Sequence, residues 1–112
     1  MELGISSKRI GYRYLLQAII LYYEDPSQAL TKEIYPAIAD ARGPGVDGRQ
    51  VESAIRAVIM EAWDNRNPRV WNYYFKHYSG KKMGRPSNME FMSEIARFLD
   101  LCQGCGGEVI YE

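Results

Sequence analysis

A turn rich in glycine and proline, followed by an amphipathic helix, constrains the fold of this chain most strongly. The turn spans residues 43–48 and reads Gly-Pro-Gly-Val-Asp-Gly. Apolar residues then recur at the three- and four-residue spacing of a helix buried along one side: Val51, Ala54, Ile55, Val58, Ile59 and Ala62. We therefore expect a helix over residues 47–65, with Asp47 as its N-cap.

The opposite side of this helix carries polar residues close to its start. They are Arg49, Gln50, Glu52, Ser53 and Arg56. Helix-turn-helix proteins place a helix of this kind in the major groove of DNA, with residues near its N-terminus on the base edges. A solvent-exposed amphipathic helix shows the same pattern, so both interpretations stay open at this point.

Length and composition narrow the class of protein. The 112 residues suffice for one hydrophobic core but not for a second globular unit. No apolar run approaches the length of a membrane span. The start, Met-Glu-Leu-Gly, lacks a basic leader before an apolar stretch, so we expect no signal peptide and a cytoplasmic location. Two cysteines do not suggest a disulfide framework.

The charge balance does not favour nucleic-acid binding as the first hypothesis, because 14 basic and 14 acidic side chains give a net charge of zero. Only the charges that face a phosphate backbone matter to it, however. The basic residues fall in three groups along the chain: Lys8, Arg9 and Arg13; Arg42, Arg49 and Arg56; Lys81, Lys82 and Arg85. These three groups would form one basic face if the fold brought them together, which the sequence does not show.

The remaining pattern predicts an all-α protein. Helices are expected over residues 8–24, 31–41 and 47–65, then from Pro68, and last from a Ser87–Glu90 capping box to about Gly104. Pro36 predicts a kink or local break within its helix. The one alternative to helix is a short extended piece over residues 109–111. We thus divide the chain into a helical domain, residues 1–103, and a glycine-rich tail, residues 104–112.

Six short segments of sequence occur in order between residues 4 and 91, and the resemblance that they carry covers roughly residues 4–101. They are Gly-Ile at 4–5 with Gly-Tyr-Arg-Tyr-Leu at 11–15, Thr-Lys-Glu-Ile-Tyr-Pro-Ala-Ile-Ala at 31–39, Val-Glu-Ser-Ala-Ile-Arg at 51–56, Ala-Trp at 62–63, and Arg-Pro-Ser-Asn-Met-Glu-Phe at 85–91. Together they resemble the C-terminal DNA-binding effector domain of the stage-zero sporulation response regulators. The resemblance implies about six helices containing a helix-turn-helix, with 31–41 as the supporting helix and 47–65 as the recognition helix.

The resemblance also implies a transcription factor that binds short promoter boxes in double-stranded DNA, as a homodimer or a tandem pair of domains. The implied base contacts are Gln50, Glu52 and Ser53. The implied phosphate contacts are Arg56, Lys81, Lys82 and Arg85, and Arg49, which is adjacent to Gln50 in the sequence, is a further candidate phosphate contact. In the family, arginines stand at the positions of Gln50 and Ser53. Because arginine pairs with guanine and glutamine with adenine, we expect a different preferred box or a weaker specificity.

A second departure from the family is the receiver domain, which precedes the effector domain in the regulators and is not part of this sequence. No aspartyl-phosphate switch is therefore expected within these residues. The chain fits either a fragment of a longer protein or a stand-alone relative. Met1 and the unusual glycine-rich ending favour the stand-alone relative.

Cys102 and Cys105 form a Cys-x-x-Cys pair followed by glycines. Two unpaired surface thiols, half of a zinc site completed by another chain, and a redox pair are all compatible with this spacing. A tetrahedral site within one chain lacks ligands, since His77 is the single histidine. We therefore assign no metal and no cofactor, with Cys102 and Cys105 as the candidate ligands if a metal is present.

Two functions of different classes remain. The first is a sequence-specific DNA-binding regulator that uses the residues named above. The second is a protein-interaction module that no longer reads DNA and pairs with a homologous regulator. The neutral charge and the two absent arginines favour the module. The turn, Glu52, Arg56 and the basic loop expected over residues 79–86, which contains Lys81, Lys82 and Arg85, favour the regulator. No nucleophile, base or metal ligands are spaced as in an enzyme.

Overall fold

A computed structural model describes residues 8–75 and 84–110 of the chain, with side chains for 8–75 and 84–99. The elements are α1 (Ile10–Glu24), a π-helical turn (Leu30–Ile34), α2 (Tyr35–Arg42), α3 (Gly48–Asp64), α4 (Pro68–Tyr74) and α5 (Asn88–Ile110). These residues contain no strand, which confirms the all-α prediction. None of their helices is both long and apolar enough to cross a membrane.

Helix α3 lies at the centre of the packing and contacts α1, α2 and α5. Five of the six residues that the apolar spacing predicts are buried, namely Val51, Ile55, Val58, Ile59 and Ala62, whereas Ala54 is only partly buried. Helix α1 approaches it very closely at Gly11. A Cβ atom on Gly11 would overlap the carbonyl oxygen of Ala54 and lie 2.8 Å from Cγ1 of Val58. Glycine is therefore the residue that allows α1 and α3 to pack at this distance.

Aromatic residues form the part of the core beneath α4. The ring of Trp71 stacks on Phe75 with centroids 4.8 Å apart, and meets Trp63 and Phe91 edge-on at 5.6 and 5.9 Å. These offset and edge-to-face contacts are the favourable geometries for aromatic pairs. Tyr14 and Tyr35 are buried as well, whereas Tyr73 is 60% exposed. Core packing thus explains some of the tyrosines but not all of them.

The break expected at Pro36 takes the form of a π-helical turn. The Ile34 N–H donates to the carbonyl of Ala29, five residues earlier, at 3.1 Å. After this turn Pro36 falls in the first turn of α2, where its missing N–H leaves no hydrogen bond unmade. The chain thereby accommodates the proline without a kink inside α2.

The structure agrees with the sequence prediction at the start of α5 but not at its end. At its start the capping box is confirmed: the Glu90 N–H donates to Ser87 Oγ at 3.1 Å, and the Ser87 N–H donates to Glu90 Oε1 at 2.9 Å. At its end the prediction was wrong, because α5 continues past Gly104 to Ile110 and includes residues expected to be extended. Glycine weakens a helix by only about 1 kcal/mol, and no proline follows to end it. Cys102 and Cys105 belong to this stretch, but their side chains lie outside the described ones.

Candidate nucleic-acid interface

The turn between α2 and α3 sets the direction in which α3 leaves the supporting helix. Gly43 and Gly45 have φ angles of +119° and +88°, a conformation that strains residues with a side chain. The Gly43 N–H still donates to the Ala39 carbonyl at 3.1 Å, so α2 ends at the turn itself. Helix, turn and helix therefore follow one another over residues 35–64, and two glycines make the reversal possible.

A reciprocal pair of hydrogen bonds caps α3. The Gln50 N–H donates to Asp47 Oδ1 at 3.0 Å, which confirms Asp47 as the N-cap. In return, the Asp47 N–H donates to Gln50 Oε1 at 2.8 Å. The second bond was missed from the sequence, although Asp followed three residues later by Gln is a capping-box spacing. Gln50 therefore stabilises the helix start, with its carboxamide oxygen already accepting a hydrogen bond.

Replacing Gln50 with alanine should lower the free energy of unfolding by about 1 kcal/mol, because the Asp47 N–H loses its side-chain acceptor. Gln50→Glu is the matched control, since a carboxylate accepts the same hydrogen bond and suits a helix N-terminus. Urea unfolding followed by circular dichroism measures both. An alanine variant as stable as the wild type would show that the cap contributes nothing.

The predicted contact residues on α3 share one exposed side of the helix. Arg49, Gln50, Ser53 and Arg56 are exposed, and Glu52 is partly buried. Between them, Val51 and Ile55 point into the core and have no exposed surface. Hence the first two turns of α3 present polar groups outward while the apolar groups anchor the helix.

Glu52 and Arg56 lie one turn apart and form an ion pair, with Arg56 Nη2 3.8 Å from Glu52 Oε2. Both side chains are more than two-fifths exposed. Exposed pairs of this kind contribute at most about 1 kcal/mol and weaken with salt. The Arg56 guanidinium can therefore exchange Glu52 for another anion at little cost.

Arg56 and Arg85 face a common cavity, although 28 residues separate them in the sequence. The cavity has a volume of about 300 Å³ and lies where the turn before α2, the middle of α3 and the start of α5 meet. Glu52, Thr31 and Asn88 also line it. Pro86, which follows Arg85, has less than 2% of its surface exposed and so anchors the backbone next to Arg85. Two cations and several hydrogen-bonding groups are thus presented together.

Asn88 connects the helices around the cavity that Arg56 and Arg85 line. Its Nδ2 donates to Tyr35 Oη at 3.0 Å and to the Glu52 carbonyl at 3.3 Å, joining α5 to both α2 and α3. Burial raises the pKa of the Tyr35 phenol, and the hydrogen bond from Asn88 only partly offsets that effect. Because the contacts come from three helices, the sequence did not reveal Asn88 as a structural residue.

The other predicted cations do not all join the same surface. Arg9 Nε lies 3.0 Å from Glu61 Oε1, on the second half of α3. Arg13 and Arg42 line a separate cavity of about 220 Å³ between α1 and α2. Lys81 and Lys82 lie outside the described residues. Of the predicted cations that the structure describes, Arg56 and Arg85 therefore share one cavity beside α3, and Arg49 lies exposed in the first turn of α3.

The sequence was also compared with known protein families. It matches the family described as the C-terminal domain of the sporulation initiation factor Spo0A over residues 1–99. The match includes α1 to α4, the turn before α3 and the first half of α5. The chain therefore belongs to the Spo0A C-terminal family, which comprises the DNA-binding effector domains of the sporulation regulator.

Proposed function

We propose that this chain is a transcription regulator that binds double-stranded DNA at specific sequences, with the first turns of α3 in the major groove. One observation carries the proposal: in a member of a DNA-binding family, the exposed polar side of α3 adjoins the cavity that Arg56 and Arg85 share. Phosphate contacts hold and orient a protein on DNA, and contacts in the groove read the sequence. This surface has groups for both tasks.

The phosphate contacts in this proposal are Arg49, Arg56 and Arg85, joined by Lys81 and Lys82 of the basic loop. Arg56 would leave its exposed pair with Glu52, whose carboxylate then faces the bases. Guanidinium groups bind phosphate oxygens through two parallel hydrogen bonds, which favours arginine for this role. A neutral chain can bind in this way because only the charges near the phosphates act strongly.

The base contacts in this proposal are Glu52, Ser53 and Gln50. A glutamate accepts a hydrogen bond from N4 of cytosine, and a serine discriminates little between bases. Glutamine pairs with adenine when its amide oxygen accepts from N6 and its amide nitrogen donates to N7 of the base. Since Gln50 Oε1 accepts from the Asp47 N–H, the cap restrains the side chain that would have to turn toward an adenine. We therefore expect Glu52 to determine most of the specificity.

Replacing Ser53 with arginine should restore a guanine-reading side chain on the exposed side of α3. The expected result is a new preference for guanine at one base pair, by about 1–3 kcal/mol. Selection of sites from a random DNA pool, carried out for the wild type and Ser53→Arg, measures it. Identical selected sites, or no enriched site for the wild type, would contradict the proposed readout.

A second candidate is the protein-interaction module that pairs with a homologous regulator. The zero net charge favours it, as does the use of Gln50 in the helix cap where the family has an arginine. Such a module would bind DNA feebly and without site preference even at low salt, whereas the regulator would enrich one box.

If the regulator pairs on DNA, as a homodimer or in tandem, binding should be cooperative on two adjacent boxes.

A further inference from the structure

Three hydroxyl groups line the cavity that Arg56 and Arg85 share, and they belong to Thr31, Tyr35 and Ser87. The Tyr35 side chain is buried, and its phenol accepts a hydrogen bond from α5. The Ser87 hydroxyl accepts the capping hydrogen bond at the start of α5. Thr31 is exposed, and within the part of the chain that the structure describes its hydroxyl has no hydrogen-bond partner. Of the three hydroxyls, that of Thr31 is therefore both accessible and not used to hold the fold.

The charges around this cavity favour an added anion. Two guanidinium groups line it, against the single carboxylate of Glu52 among the described residues. Arg85 is exposed and forms no ion pair within the described residues. Arg56 has only its exposed pair with Glu52, at 3.8 Å. The cavity therefore holds more positive charge than its own residues neutralise.

A phosphoryl group on Thr31 would place a strong anion beside these cations. Phosphothreonine carries a charge of about −1.5 to −2 at pH 7 and has three acceptor oxygens. Opposite arginines, such a group forms short, charge-assisted hydrogen bonds, two at a time with one guanidinium. The cavity of about 300 Å³ has room for it, since a water molecule takes about 30 Å³ of liquid and a phosphoryl group has four heavy atoms.

We propose that Thr31 is a phosphorylation site whose phosphoryl group binds to Arg56 and Arg85, and that this modification prevents DNA binding. In the transfer, the Thr31 hydroxyl oxygen bonds to the γ-phosphorus of ATP and the bond from that phosphorus to the bridging oxygen breaks. ADP leaves, and the hydroxyl proton passes to a base. A separate serine/threonine protein kinase binds the ATP and supplies the base.

The effect on DNA binding rests on the proposed function. Arg56 and Arg85, which would bind phosphates of the DNA backbone, would instead bind the phosphoryl group of their own chain. The added dianion would also repel the backbone that approaches the same surface. Phosphorylation would thus switch off binding by local electrostatics, without a change of fold.

The contact between the phosphoryl group and the arginines is tested without DNA, on the full chain with phosphothreonine incorporated at position 31 during translation. Phosphorus-31 NMR should show that the second pKa of the phosphothreonine lies at least about 0.5 below its ordinary value of about 6, because the guanidinium groups favour the dianion. In the same chain with Arg85→Ala, the pKa should return toward about 6.

Phosphoserine at position 27 is the matched control for this titration. Ser27 is exposed, does not line the cavity and lies beside Asp25, so its phosphate should titrate at about 6 or above. Circular dichroism checks that each chain is folded. An ordinary pKa for the phosphothreonine at position 31, or a lowered pKa that Arg85→Ala leaves unchanged, would overturn the proposal.

The effect on DNA is measured by fluorescence anisotropy with a duplex selected for the unmodified chain. Phosphorylation at position 31 should raise Kd at least about 100-fold, since two charge-assisted contacts are lost. It should also make the salt slope shallower by about 2. Phosphorylation at position 27 should raise Kd less than about 5-fold. Equal losses at the two positions would overturn the switch, whereas an unmodified chain that binds no duplex would contradict the proposed function and leave the NMR result standing.

Tandem mass spectrometry of the chain isolated from the cells that produce it tests whether the modification occurs. The spectra should locate phosphate on Thr31, and a Thr31→Val strain should lack the phosphorylated form. Phosphate found only on other residues, or no phosphate in either growing or stationary cells, would overturn the assignment of Thr31 as a phosphorylation site.

Discussion

Replacing Trp71 with alanine should lower the free energy of unfolding by about 4 kcal/mol. Trp71 is 1% exposed and joins Trp63 of α3, Phe75 after α4 and Phe91 of α5 in one aromatic cluster. Its loss removes a large transfer free energy and leaves a cavity that these rings cannot fill. For a domain with an expected stability of about 5–15 kcal/mol, this change removes between about a quarter and about four-fifths of the free energy of unfolding. Equilibrium urea unfolding gives the value.

Tyr73→Ala is the matched control for this prediction. Tyr73 belongs to the same helix and is also aromatic, but 60% of it is exposed. Its edge-on contacts with Tyr74 and Phe98 contribute about 1 kcal/mol or less. If both variants lost similar stability, the aromatic cluster under α4 would not be the packing centre that the structure indicates.

Replacing Gly11 with alanine should have the next largest effect, a loss of about 2–3 kcal/mol. The new methyl group would overlap the Ala54 carbonyl oxygen and approach Cγ1 of Val58, so α1 would have to move away from α3. Overpacking of this kind destabilises by about 1–3 kcal/mol, and here the nearest atom belongs to the backbone. Alanine's advantage of up to about 1 kcal/mol over glycine in a helix does not compensate.

Gly84→Ala is the control for Gly11, because a Cβ atom on Gly84 would meet nothing within 4 Å. That variant should unfold at the wild-type urea concentration or slightly above it. Urea unfolding of the two variants under the same conditions compares them. A Gly11→Ala protein as stable as the Gly84→Ala protein would show that the close approach of α1 to α3 is unimportant.

Much of the fold follows from local sequence signals. The apolar spacing after residue 50 predicted the buried side of α3, and the Ser87–Glu90 capping box predicted the start of α5. Each of these signals lies within one helix and needs no tertiary information. The close approach at Gly11 was not predictable in this way, since it depends on the carbonyl of a residue 43 positions later.

The candidate interface likewise combines features that the sequence predicts with features that depend on tertiary packing. Periodicity identified the exposed residues of α3, and the family resemblance pointed to the basic loop. That Arg56 and Arg85 share one cavity depends on the packing of α5 against α3, which Asn88 secures with two hydrogen bonds. Gln50 is the instructive exception: a local capping signal was present in the sequence, but the role assigned to Gln50 was base contact alone.

The salt dependence of DNA binding shows whether the polar side of α3 and the neighbouring arginines form a DNA-binding surface. With a duplex selected from a random pool, fluorescence anisotropy should show log K falling with log salt at a slope of about −3 or steeper, as expected for at least three phosphate contacts. Arg56→Ala should weaken binding to all duplexes and make the slope shallower by about 1. Arg97→Ala, an exposed arginine on α5, should change neither value. A wild-type slope near zero, or equal losses in the two variants, would contradict a DNA-binding surface built around Arg56 in the middle of α3.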